Sequence, residues 1–576
     1  MYVLGISCYF HDAAAALIKD GVLVAAAEEE RFSRIKHDAN FPQRAIDYCL
    51  EAAGIEGGDV DYVVFFEKPF LKLERILLTC LQGFPRTLGL FREAMLTWLL
   101  DKLWVKGLIK DRTGVRDKNR ILFSWHHLSH AASSFFCSPF DEAAILTADA
   151  VGEWTTTLKG RGEGNRIHVS QELHFPHSLG LLYSTFTTFC GLEVNDGEYK
   201  LMGMAAYGQP RYVEKVERLI EVAADGSFSL DMDYFAFHRS TRRMFSDRFV
   251  KLFGEPRPPL FSGIVDPYYA DVAASIQAVT EDVLLKMANG LHRETGLTRL
   301  CMAGGVALNS VANGRILRET PFEEVYIQPA AGDGGGALGA ALYAYHVVLN
   351  QPRAFVMEHA YWGRSYVPAE ISAALAARGA SYTELANEDE VTERTTELLA
   401  NGRVVGWFQG GFEYGPRALG HRSILADPRG EDMKDTVNLK IKHREPFRPF
   451  APSVPAERCE GVFRLPDAAE HYPARFMQLV VNVEDGWRDS VPATTHVDGT
   501  ARPQAVHREV NERFHRLLEC FGEVTGLPVL LNTSFNLAGE PIVNSPAEAL
   551  DTFARSGMDA LVLGRFLVTR DGIGER

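Results

Sequence analysis

Two histidines and two aspartates are the residues of this chain whose types and spacing best suit metal chemistry. His126 and His130 are four residues apart, and a helix stacks side chains at that spacing on one face. Asp149 ends an apolar segment, and Asp333 lies in a glycine-rich stretch that we expect to be a loop. Imidazole nitrogens combined with carboxylate oxygens suit Fe(II), Mn(II) or Zn(II). On the residues alone, a packed histidine pair beside two strand-end aspartates is the alternative.

A second set of residues, in the C-terminal part, is cationic. Its members are Arg417, Arg422, Lys440, Lys442, Arg444 and Arg448. The alternation of cations from Lys440 to Arg444 predicts a strand with all three on one face. In a chain of formal net charge −15, such a face predicts an anionic ligand, because Arg binds phosphate oxygens in a bidentate way and Lys acts as a point charge. A solvated basic edge strand is the alternative.

Two further segments offer groups that bind phosphates. An apolar strand is predicted to end in amides and a hydroxyl at Asn532, Ser534 and Asn536. A Ser and an Asn two residues apart can hydrogen-bond a phosphate and hold a nucleotide with its Mg²⁺. The pair Gly304-Gly305 follows a predicted buried strand, and the backbone N–H groups of such a turn can cradle a phosphate or a nucleoside.

The bulk properties limit the class of protein. A chain of 576 residues predicts two to four domains of about 100–200 residues each. The acidic net charge argues against a nucleic-acid partner, which normally needs a basic face. Eight scattered cysteines predict reduced thiols and a cytoplasmic protein. We expect no signal peptide, and no apolar run approaches the length of about 18 residues that a membrane span needs.

The order of predicted elements indicates a duplicated α/β fold. Residues 2–27 predict three strands linked by polar turns, with a helix at 43–53, and a similar strand–turn–strand unit recurs at 144–158. Such repeated hairpins are typical of actin-like and sugar-kinase-like folds. The residue composition changes after about residue 346, and a new apolar strand is predicted to begin at 404. We therefore predict an N-terminal domain at 1–347, a connecting segment at 348–395 and a C-terminal domain at 396–576.

As an ordered set, seven blocks of the chain resemble the NodU/CmcH family of O-carbamoyltransferases. The blocks cover residues 3–34, 125–154, 196–208, 303–315, 329–341, 406–454 and 531–546. The resemblance implies an actin-like (ASKHA) N-terminal domain of the threonylcarbamoyl-transferase type. It also implies a YrdC-like C-terminal domain, marked by Lys442-His443-Arg444 and Ser534-Phe535-Asn536. One departure is Ala150 after Asp149, where the family pattern has Gly; the carboxylate itself is kept.

The resemblance also implies roles for individual residues. His126, His130, Asp149 and Asp333 become ligands of a metal, with Fe(II) preferred over other divalent transition metals. His11 becomes the base on the acceptor, with Asp12 beside it, and Lys442 and Arg444 become catalytic in the C-terminal domain. The implied nucleotide contacts of the N-terminal domain are Lys200, Gly203, Gly304, Gly305, Asn309 and Gly332. The implied contacts for carbamoyl phosphate and ATP are Arg417, Arg422, Lys440, Lys442, Arg444, Arg448, Asn532, Ser534 and Asn536.

The implied reaction has two steps. Carbamoyl phosphate and ATP with Mg²⁺ give carbamoyl-adenylate, and the carbamoyl group then passes to a hydroxyl of a small sugar or natural product, as in the biosynthesis of antibiotics and other secondary metabolites. The alternatives are a threonylcarbamoyl-type tRNA-modifying transferase and an actin-like sugar kinase. The acidic charge weighs against tRNA, and a kinase leaves the histidine pair unexplained.

The segment 68–115 carries no family motif. Its amphipathic part at 90–109 predicts a helical insertion that covers the core, rather than one that rests on a membrane surface. Reading the acceptor and forming a homodimer are the two roles that we assign to it as hypotheses.

Overall fold

The computed structural model describes residues 1–100, 104–259 and 265–572, except for the side chains of 97–100. Residues 101–103 of the predicted insertion and 573–576 of the predicted C-terminal domain lie outside these ranges. The chain divides into two compact units. The first unit comprises Met1–Glu29 and His37–Met357, and the second comprises Glu30–Lys36 and Glu358–Arg576. No helix in the described ranges combines the length and apolar character that crossing a bilayer demands.

Two five-stranded sheets form the framework of the first unit. The strands of one are β1 (Tyr2–Ser7), β2 (Ala14–Lys19), β3 (Val22–Glu28), β4 (Tyr62–Phe65) and β5 (Ile121–Phe123). Those of the other are β6 (Glu142–Ala148), β7 (Thr155–Glu163), β8 (Arg166–His174), β11 (Arg299–Ala303) and β12 (Glu324–Ile327). A separate hairpin joins β9 (Ile220–Val222) and β10 (Phe228–Leu230).

The two sheets share one topology. In each, the spatial order is third, second, first, fourth and fifth strand. The first three strands pair antiparallel, and the last two join in parallel. The predicted mixed α/β class with an actin-like or sugar-kinase-like duplication is therefore confirmed.

Helices surround these sheets. The helices of the first unit are α2 (Gln43–Ala53), α3 (Pro69–Gln82), α4 (Leu88–Leu100), α5 (Val105–Thr113), α6 (His126–Phe135), α7 (Leu179–Phe189), α8 (Glu198–Ala205), α9 (Val213–Glu217), α10 (Asp247–Phe253), α11 (Pro267–Thr295), α12 (Ser310–Glu319) and α13 (Asp333–Tyr343). The first helix of the chain, α1 (Glu30–Ser33), belongs to the second unit.

The glycine-rich stretch after Asp333 is a helix, so the expected loop is wrong. These residues form the start of α13, and the glycines permit close packing. A Cβ on Gly339 would lie 1.8 Å from the Ser129 carbonyl oxygen of α6, and one on Gly5 of β1 would lie 1.8 Å from the Ala337 carbonyl oxygen. Glycine normally weakens a helix by about 1 kcal/mol per residue. Here it lets α13 pack tightly against both α6 and β1.

One eight-stranded sheet organises the second unit. In spatial order its strands are β13 (Thr383–Glu384), β22 (Phe566–Thr569), β21 (Ala560–Leu563), β14 (Val405–Phe408), β15 (Arg422–Ala426), β20 (Leu530–Ser534), β16 (Ala451–Pro455) and β19 (Gln504–Val506). A short ladder joins β17 (Val481–Asn482) and β18 (Thr500–Ala501). The helices are α1, α14 (Pro368–Arg378), α15 (Glu388–Ala400), α16 (Met433–Asp435), α17 (Cys459–Val462), α18 (Tyr472–Arg475), α19 (Glu512–Thr525) and α20 (Pro546–Arg555).

Helices cover both faces of this sheet. Neighbouring residues of β14 point to opposite faces, as the strand period requires. Phe408 packs in the cluster that includes Leu375 of α14 and Phe553 of α20. Trp407 packs in the cluster that includes Leu399 of α15 and Leu518 of α19. The buried sheet therefore holds the ends of β15 and β20 at fixed positions.

The predicted strand through the Lys440–Arg444 run is wrong. The chain forms a π-helix over Thr436–Lys442, and His443 follows with a φ of 52°. The Asn438 side chain stabilises this shape, because its amide donates to the Arg448 carbonyl and its oxygen accepts from Arg444 Nε. Lys440 is exposed and Lys442 is buried, so the alternating cations do not share a face.

Candidate active site

Four side chains from three parts of the first unit meet in one buried group. His126 and His130 lie on the first turns of α6, Asp149 follows β6, and Asp333 opens α13. His126 Nε2 lies 3.0 Å from Asp149 Oδ2 and 3.1 Å from His130 Nε2. His130 Nε2 lies 3.1 Å from Asp149 Oδ2 and 3.4 Å from Asp333 Oδ1. The structure thus brings together all four residues that the sequence singled out for a metal.

The donor atoms fit a single divalent ion. Ligand atoms bound to one ion at about 2.1 Å stand roughly 3.0–3.4 Å apart, which is close to the observed separations. Both carboxylate oxygens of Asp333 are buried without a hydrogen-bond partner among the described residues, as are Nδ1 of His126 and of His130. An unpaired buried carboxylate is costly, and a bound cation would offset that cost. Two imidazoles with two carboxylates suit a divalent transition metal.

The electrostatics of the group favour an added positive charge. Burial alone would raise the pKa of Asp149, but hydrogen bonds from His126 and His130 hold that pKa well below its usual value. Burial alone would lower the pKa of His130, but its hydrogen bond to Asp149 and the negative charge of the nearby Asp333 raise it to about 9. The carboxylates therefore attract protons onto the imidazoles, and a metal that binds the same atoms displaces those protons.

Glu153 supports the histidine helix, and sequence reasoning missed it. Its carboxylate accepts hydrogen bonds from the main-chain N–H of His126, at 3.1 Å and 3.2 Å, and from that of Lys68 at 2.7 Å. A carboxylate at this position binds free N–H groups at the start of α6 and favours the helix dipole. The position of Glu153 four residues after Asp149 was its only sequence signal.

His11 lies beside the metal-type group on the turn between β1 and β2. Its Nε2 is 3.7 Å from Asp333 Oδ2, and its Nδ1 is 2.9 Å from Asp12 Oδ2. Burial would lower the pKa of His11, but Asp333 and Asp12 raise it to about 9. The other oxygen of Asp12 lies 2.7 Å from Nδ1 of His37. His37 is a second residue that the sequence did not indicate.

The glycine turn after β11 also borders this group. Gly304 has a φ of +92°, and a Cβ there would lie 2.2 Å from the Ala148 carbonyl oxygen, so only glycine fits. The N–H of Gly305 donates to Asp149 Oδ1 at 3.2 Å. Gly332 immediately precedes α13 and therefore Asp333. These three predicted nucleotide contacts lie next to metal-type residues.

The other predicted nucleotide contacts of the first unit are engaged with protein groups. Lys200 Nζ lies 2.7 Å from Asp196 Oδ2. The Asn309 amide donates to Gln277 Oε1 at 3.1 Å. Gly203 lies within α8. Nothing in these contacts assigns a nucleotide to them.

In the second unit, the two predicted short motifs meet. Lys442 is buried, and its Nζ donates to the Ser534 carbonyl at 2.6 Å, to Ser534 Oγ at 3.1 Å and to Asn536 Oδ1 at 2.5 Å. Burial, with Arg444 and Arg448 close by, holds the pKa of Lys442 well below its usual value. The Lys-x-Arg and Ser-x-Asn residues therefore form one cluster of polar groups at the end of β20.

Arg502 is a further cation of this cluster that sequence reasoning missed. Burial, followed by repulsion from Arg417, Arg444 and Arg448, holds its pKa well below the usual value. Its Nε is buried without a hydrogen bond, and within the described ranges no carboxylate forms a salt bridge with it. Lys442 is buried and the four arginines around it are partly exposed, and an anion that binds among neighbouring cations offsets their mutual repulsion. The cluster of Arg417, Lys442, Arg444, Arg448 and Arg502, called the cation cluster below, is therefore suited to a polyanion.

Three predicted phosphate contacts of the second unit have other surroundings. Arg422 is fully buried, donates to main-chain carbonyls including that of Gly410 at 3.0 Å, and stacks 3.6 Å above the Phe408 ring. The Asn532 amide donates to Ser453 Oγ at 3.0 Å. Lys440 is exposed on the π-helix. The donors of Arg422 and Asn532 are thus directed to protein acceptors.

Comparison with known families now gives this arrangement a class. The family model described as carbamoyltransferase N-terminus matches residues 2–342, and the model described as carbamoyltransferase C-terminus matches residues 396–570. The chain belongs to the carbamoyltransferase family. It is an enzyme of the NodU/CmcH type, as the resemblance implied. The family match favours a carbamoyltransferase over the two alternatives, a tRNA-modifying transferase and a sugar kinase.

Several relatives share most of the carbamoyltransferase chain. An uncharacterized protein of Synechocystis is 47% identical and covers 100% of this chain and 98% of its own. Nodulation protein NolNO of Sinorhizobium fredii is 38% identical over 98% of this chain and 79% of its own. Nodulation protein NolO of Bradyrhizobium diazoefficiens is 37% identical over 77% of this chain and 78% of its own.

Proposed function

We propose that this carbamoyltransferase is ATP-dependent and divides its reaction between its two units. The observation that carries the proposal is that each unit contains a different group of reactive side chains. The first unit holds the buried His/Asp group with His11 beside it, and the second holds the cation cluster around Lys442. The first group suits a metal and proton transfer, and the second suits phosphates.

In the first step, the second unit forms carbamoyl-adenylate. Water cleaves the bond between the carbamoyl group and phosphate, which releases inorganic phosphate and leaves carbamate. A carbamate oxygen then attacks the α-phosphorus of ATP, the bond to the β-phosphate breaks, and pyrophosphate leaves. Carbamoyl phosphate and ATP are both anionic, so their approach requires cations that offset the repulsion.

The cation cluster supplies those charges. Lys442 is fixed by Ser534 and Asn536, while Arg444 and Arg502 present guanidinium groups that bind phosphate oxygens in a bidentate way. Burial, together with repulsion among the cations, lowers the pKa of Lys442 and Arg502. A triphosphate bound with Mg²⁺ removes that repulsion, so binding and charge compensation are coupled.

In the second step, the first unit transfers the carbamoyl group to a hydroxyl. A hydroxyl needs a base, because it is a weak nucleophile far below its own pKa. His11 is the proposed base, because a cation held by Asp333 would offset the negative charge that raises the pKa of His11 and so leave the imidazole free to accept a proton. Its Nδ1 faces Asp12, which assigns Nε2 as the nitrogen that accepts the proton of the acceptor. The acceptor oxygen bonds to the carbamoyl carbon, the anhydride bond breaks, and AMP leaves.

The buried His/Asp group would hold a divalent metal, for which we propose Fe(II). A metal at His126, His130, Asp149 and Asp333 would supply positive charge that stabilises negative charge developing on the transferred group. Gly304 and Gly305 are proposed as part of the wall of the adenylate site beside it, because their N–H groups donate to the Ala331 carbonyl and to Asp149 Oδ1 and a side chain on Gly304 would not fit. The proposed acceptor is a small molecule, either a sugar or another natural product.

The test uses the full chain with carbamoyl phosphate, ATP and Mg²⁺, and no acceptor. We expect pyrophosphate and inorganic phosphate in equal amounts, and exchange of labelled pyrophosphate into ATP. Release of ADP without pyrophosphate would contradict adenylate formation. Metal analysis of protein purified without chelator tests the second half of the proposal: we expect one transition-metal ion per chain. A chain that is metal-free yet fully active in transfer would overturn it.

A further inference from the structure

The helical segment from α3 to α5 in the first unit turns apolar side chains outward. Among the described residues, eight of the 22 exposed large hydrophobic side chains lie between residues 70 and 104. The most exposed are Phe70, Leu81, Phe84, Leu88, Leu96 and Trp104. This segment was expected to cover the core, and the outward direction of these side chains differs from that expectation. An exposed apolar surface of this kind marks an interaction site.

Helix α3 buries charged side chains and exposes apolar ones, which is the reverse of an ordinary surface helix. Its charged residues Lys72 and Arg75 are buried, and Lys72 Nζ lies 2.6 Å from Glu67 Oε2. On the opposite face, Phe70 is 70% exposed and Leu81 is 72% exposed. Residues 70, 77 and 81 share one helix face by the helical period. Helix α3 therefore presents an apolar stripe to its surroundings, a surface of the kind that binds other molecules.

The turn and the next helix continue this surface. Phe84 lies on the short connection between α3 and α4, and the two helices pack against each other. Leu88 and Phe91 are three residues apart on α4 and are both exposed, so they share a face. Trp104 immediately precedes α5 and is 70% exposed. The apolar surface therefore extends over both helices and the start of a third.

The charge of the same segment has the opposite sign to the rest of the chain. Residues 69–113, from the start of α3 to the end of α5, contain eight Lys and Arg against four Asp and Glu, a net charge of +4, whereas the rest of the chain carries a net charge of −19. Lys106 and Arg112 of α5 are exposed, as are Arg86 and Arg92. Exposed Phe, Leu and Trp side chains among Lys and Arg are the combination that binds the interface of an anionic bilayer.

We propose that the α3–α5 surface docks on a membrane containing anionic phospholipid. The apolar side chains enter the interfacial region, and the basic side chains bind lipid phosphates and carboxylates. A symmetric dimer through the same surface is disfavoured, because a two-fold axis would bring two segments of net charge +4 together. The proposal is independent of the metal, of the adenylate and of the identity of the acceptor.

The test is sedimentation of the full chain with vesicles, at an ionic strength of about 0.1 M. One set contains phosphatidylcholine with about 30% phosphatidylserine, and the other contains phosphatidylcholine alone. We expect binding to the anionic set to exceed binding to the neutral set by about tenfold or more, and to fall steeply with added salt. Failure of the wild-type chain to bind anionic vesicles would overturn the proposal.

Two double variants separate the apolar and the electrostatic contributions. Leu81→Ser with Phe84→Ser removes apolar contact, and Lys106→Glu with Arg112→Glu removes basic contact. Each should weaken binding to anionic vesicles about tenfold or more. The matched control is Val497→Ser with Val524→Ser, two exposed side chains of the second unit, which should bind as wild type does. Unchanged binding in both test variants would contradict the proposal.

Light scattering and thermal melting complete the design. Because the substituted side chains are exposed, we expect each variant to melt close to wild type, so lost binding is not lost folding. If the wild-type chain is a dimer that the Leu81→Ser, Phe84→Ser variant dissociates, and neither binds vesicles, the surface is an interface between copies. That result would also overturn the membrane proposal.

Discussion

The His/Asp group and the cation cluster of this carbamoyltransferase differ in the signs of the charges that they bring together. In the first unit, imidazoles and carboxylates alternate, and each charge has a neighbour of opposite sign, as between His130 and Asp149 at 3.1 Å. In the second unit, Lys442 and Arg502 lie among further arginines, and burial followed by repulsion lowers the pKa of both. The first group combines charges of both signs, whereas the cation cluster gathers charges of one sign and is suited to a polyanion.

Two histidines, one in each unit, show how the surroundings of an imidazole change its pKa. Burial lowers the pKa of an imidazole unless a carboxylate opposes it. His130 is buried beside Asp149 and Asp333, and its pKa rises to about 9. His421 is half-buried in the second unit against the Tyr361 ring, with centroids 3.7 Å apart, and desolvation lowers its pKa to about 4. The neighbours of a histidine therefore decide the direction of the shift.

The largest expected effect is loss of a metal ligand. His126→Ala should reduce carbamoyl transfer by about 10³-fold or more, because one of four ligands is removed from a site that positions the transferred group. Pyrophosphate release from carbamoyl phosphate and ATP should stay at the wild-type rate, since the cation cluster is untouched. Bound metal, transfer and pyrophosphate are measured on the same preparation.

The control for that variant is His168→Ala, at an exposed strand position of the same unit. It should keep both metal and transfer. If His126→Ala retained its metal and turned over normally, the four-ligand assignment would be wrong.

The next effect concerns His11. His11→Ala should slow transfer by about 10²–10⁴-fold, the usual contribution of a positioned general base, while metal content and pyrophosphate release are kept. Supplying preformed carbamoyl-adenylate should not rescue it. A histidine that only packs the turn would instead lower the folded fraction and leave turnover per folded molecule unchanged, so both quantities are measured.

These two centres also differ in how far sequence predicts them. The His126 and His130 spacing matches the helical period, so the meeting of the two imidazoles was predictable once α6 was. Asp333 was singled out correctly within a stretch wrongly expected to be a loop, because the close approach of α13 to α6 that its glycines permit is a tertiary feature. Glu153 was missed since its partners are main-chain N–H groups, which carry no sequence signal.

The cation cluster was harder to predict because irregular backbone builds it. A π-helix places Lys442 inside and Lys440 outside, which no period of two residues can anticipate. Arg502 comes from a segment 58 positions after Arg444 in the sequence, with no motif around it. Arg422 was predicted to contact carbamoyl phosphate and ATP, yet its guanidinium donates to main-chain carbonyls.

Removing one cation should have a smaller effect than removing the base. Arg502→Ala should slow pyrophosphate release by about 10²-fold, the range for loss of a charged donor at a developing anion, and preformed carbamoyl-adenylate should restore transfer. Arg444→Ala should behave alike. Arg508→Ala, an exposed arginine paired with Glu519 at 2.7 Å, is the matched control. Wild-type pyrophosphate release in Arg502→Ala would exclude it from the phosphate site.

The smallest effect is on stability and tests the histidine contrast. The unfolded pKa of His421 is the ordinary 6.5 and its folded pKa is about 4, so between these values the unfolded chain binds the extra proton. Stability is therefore fully present above pH 6.5 and is lost as the pH falls toward 4, by at most about 3 kcal/mol.

His421→Gln should flatten the fall in unfolding free energy between about pH 7.5 and pH 5. Exposed His168→Gln should leave the slope unchanged. Urea unfolding at several pH values, followed by the transition of the second unit, measures both slopes. Equal slopes in wild type and His421→Gln would mean that this imidazole is protonated in the folded protein, and the contrast with His130 would then fail.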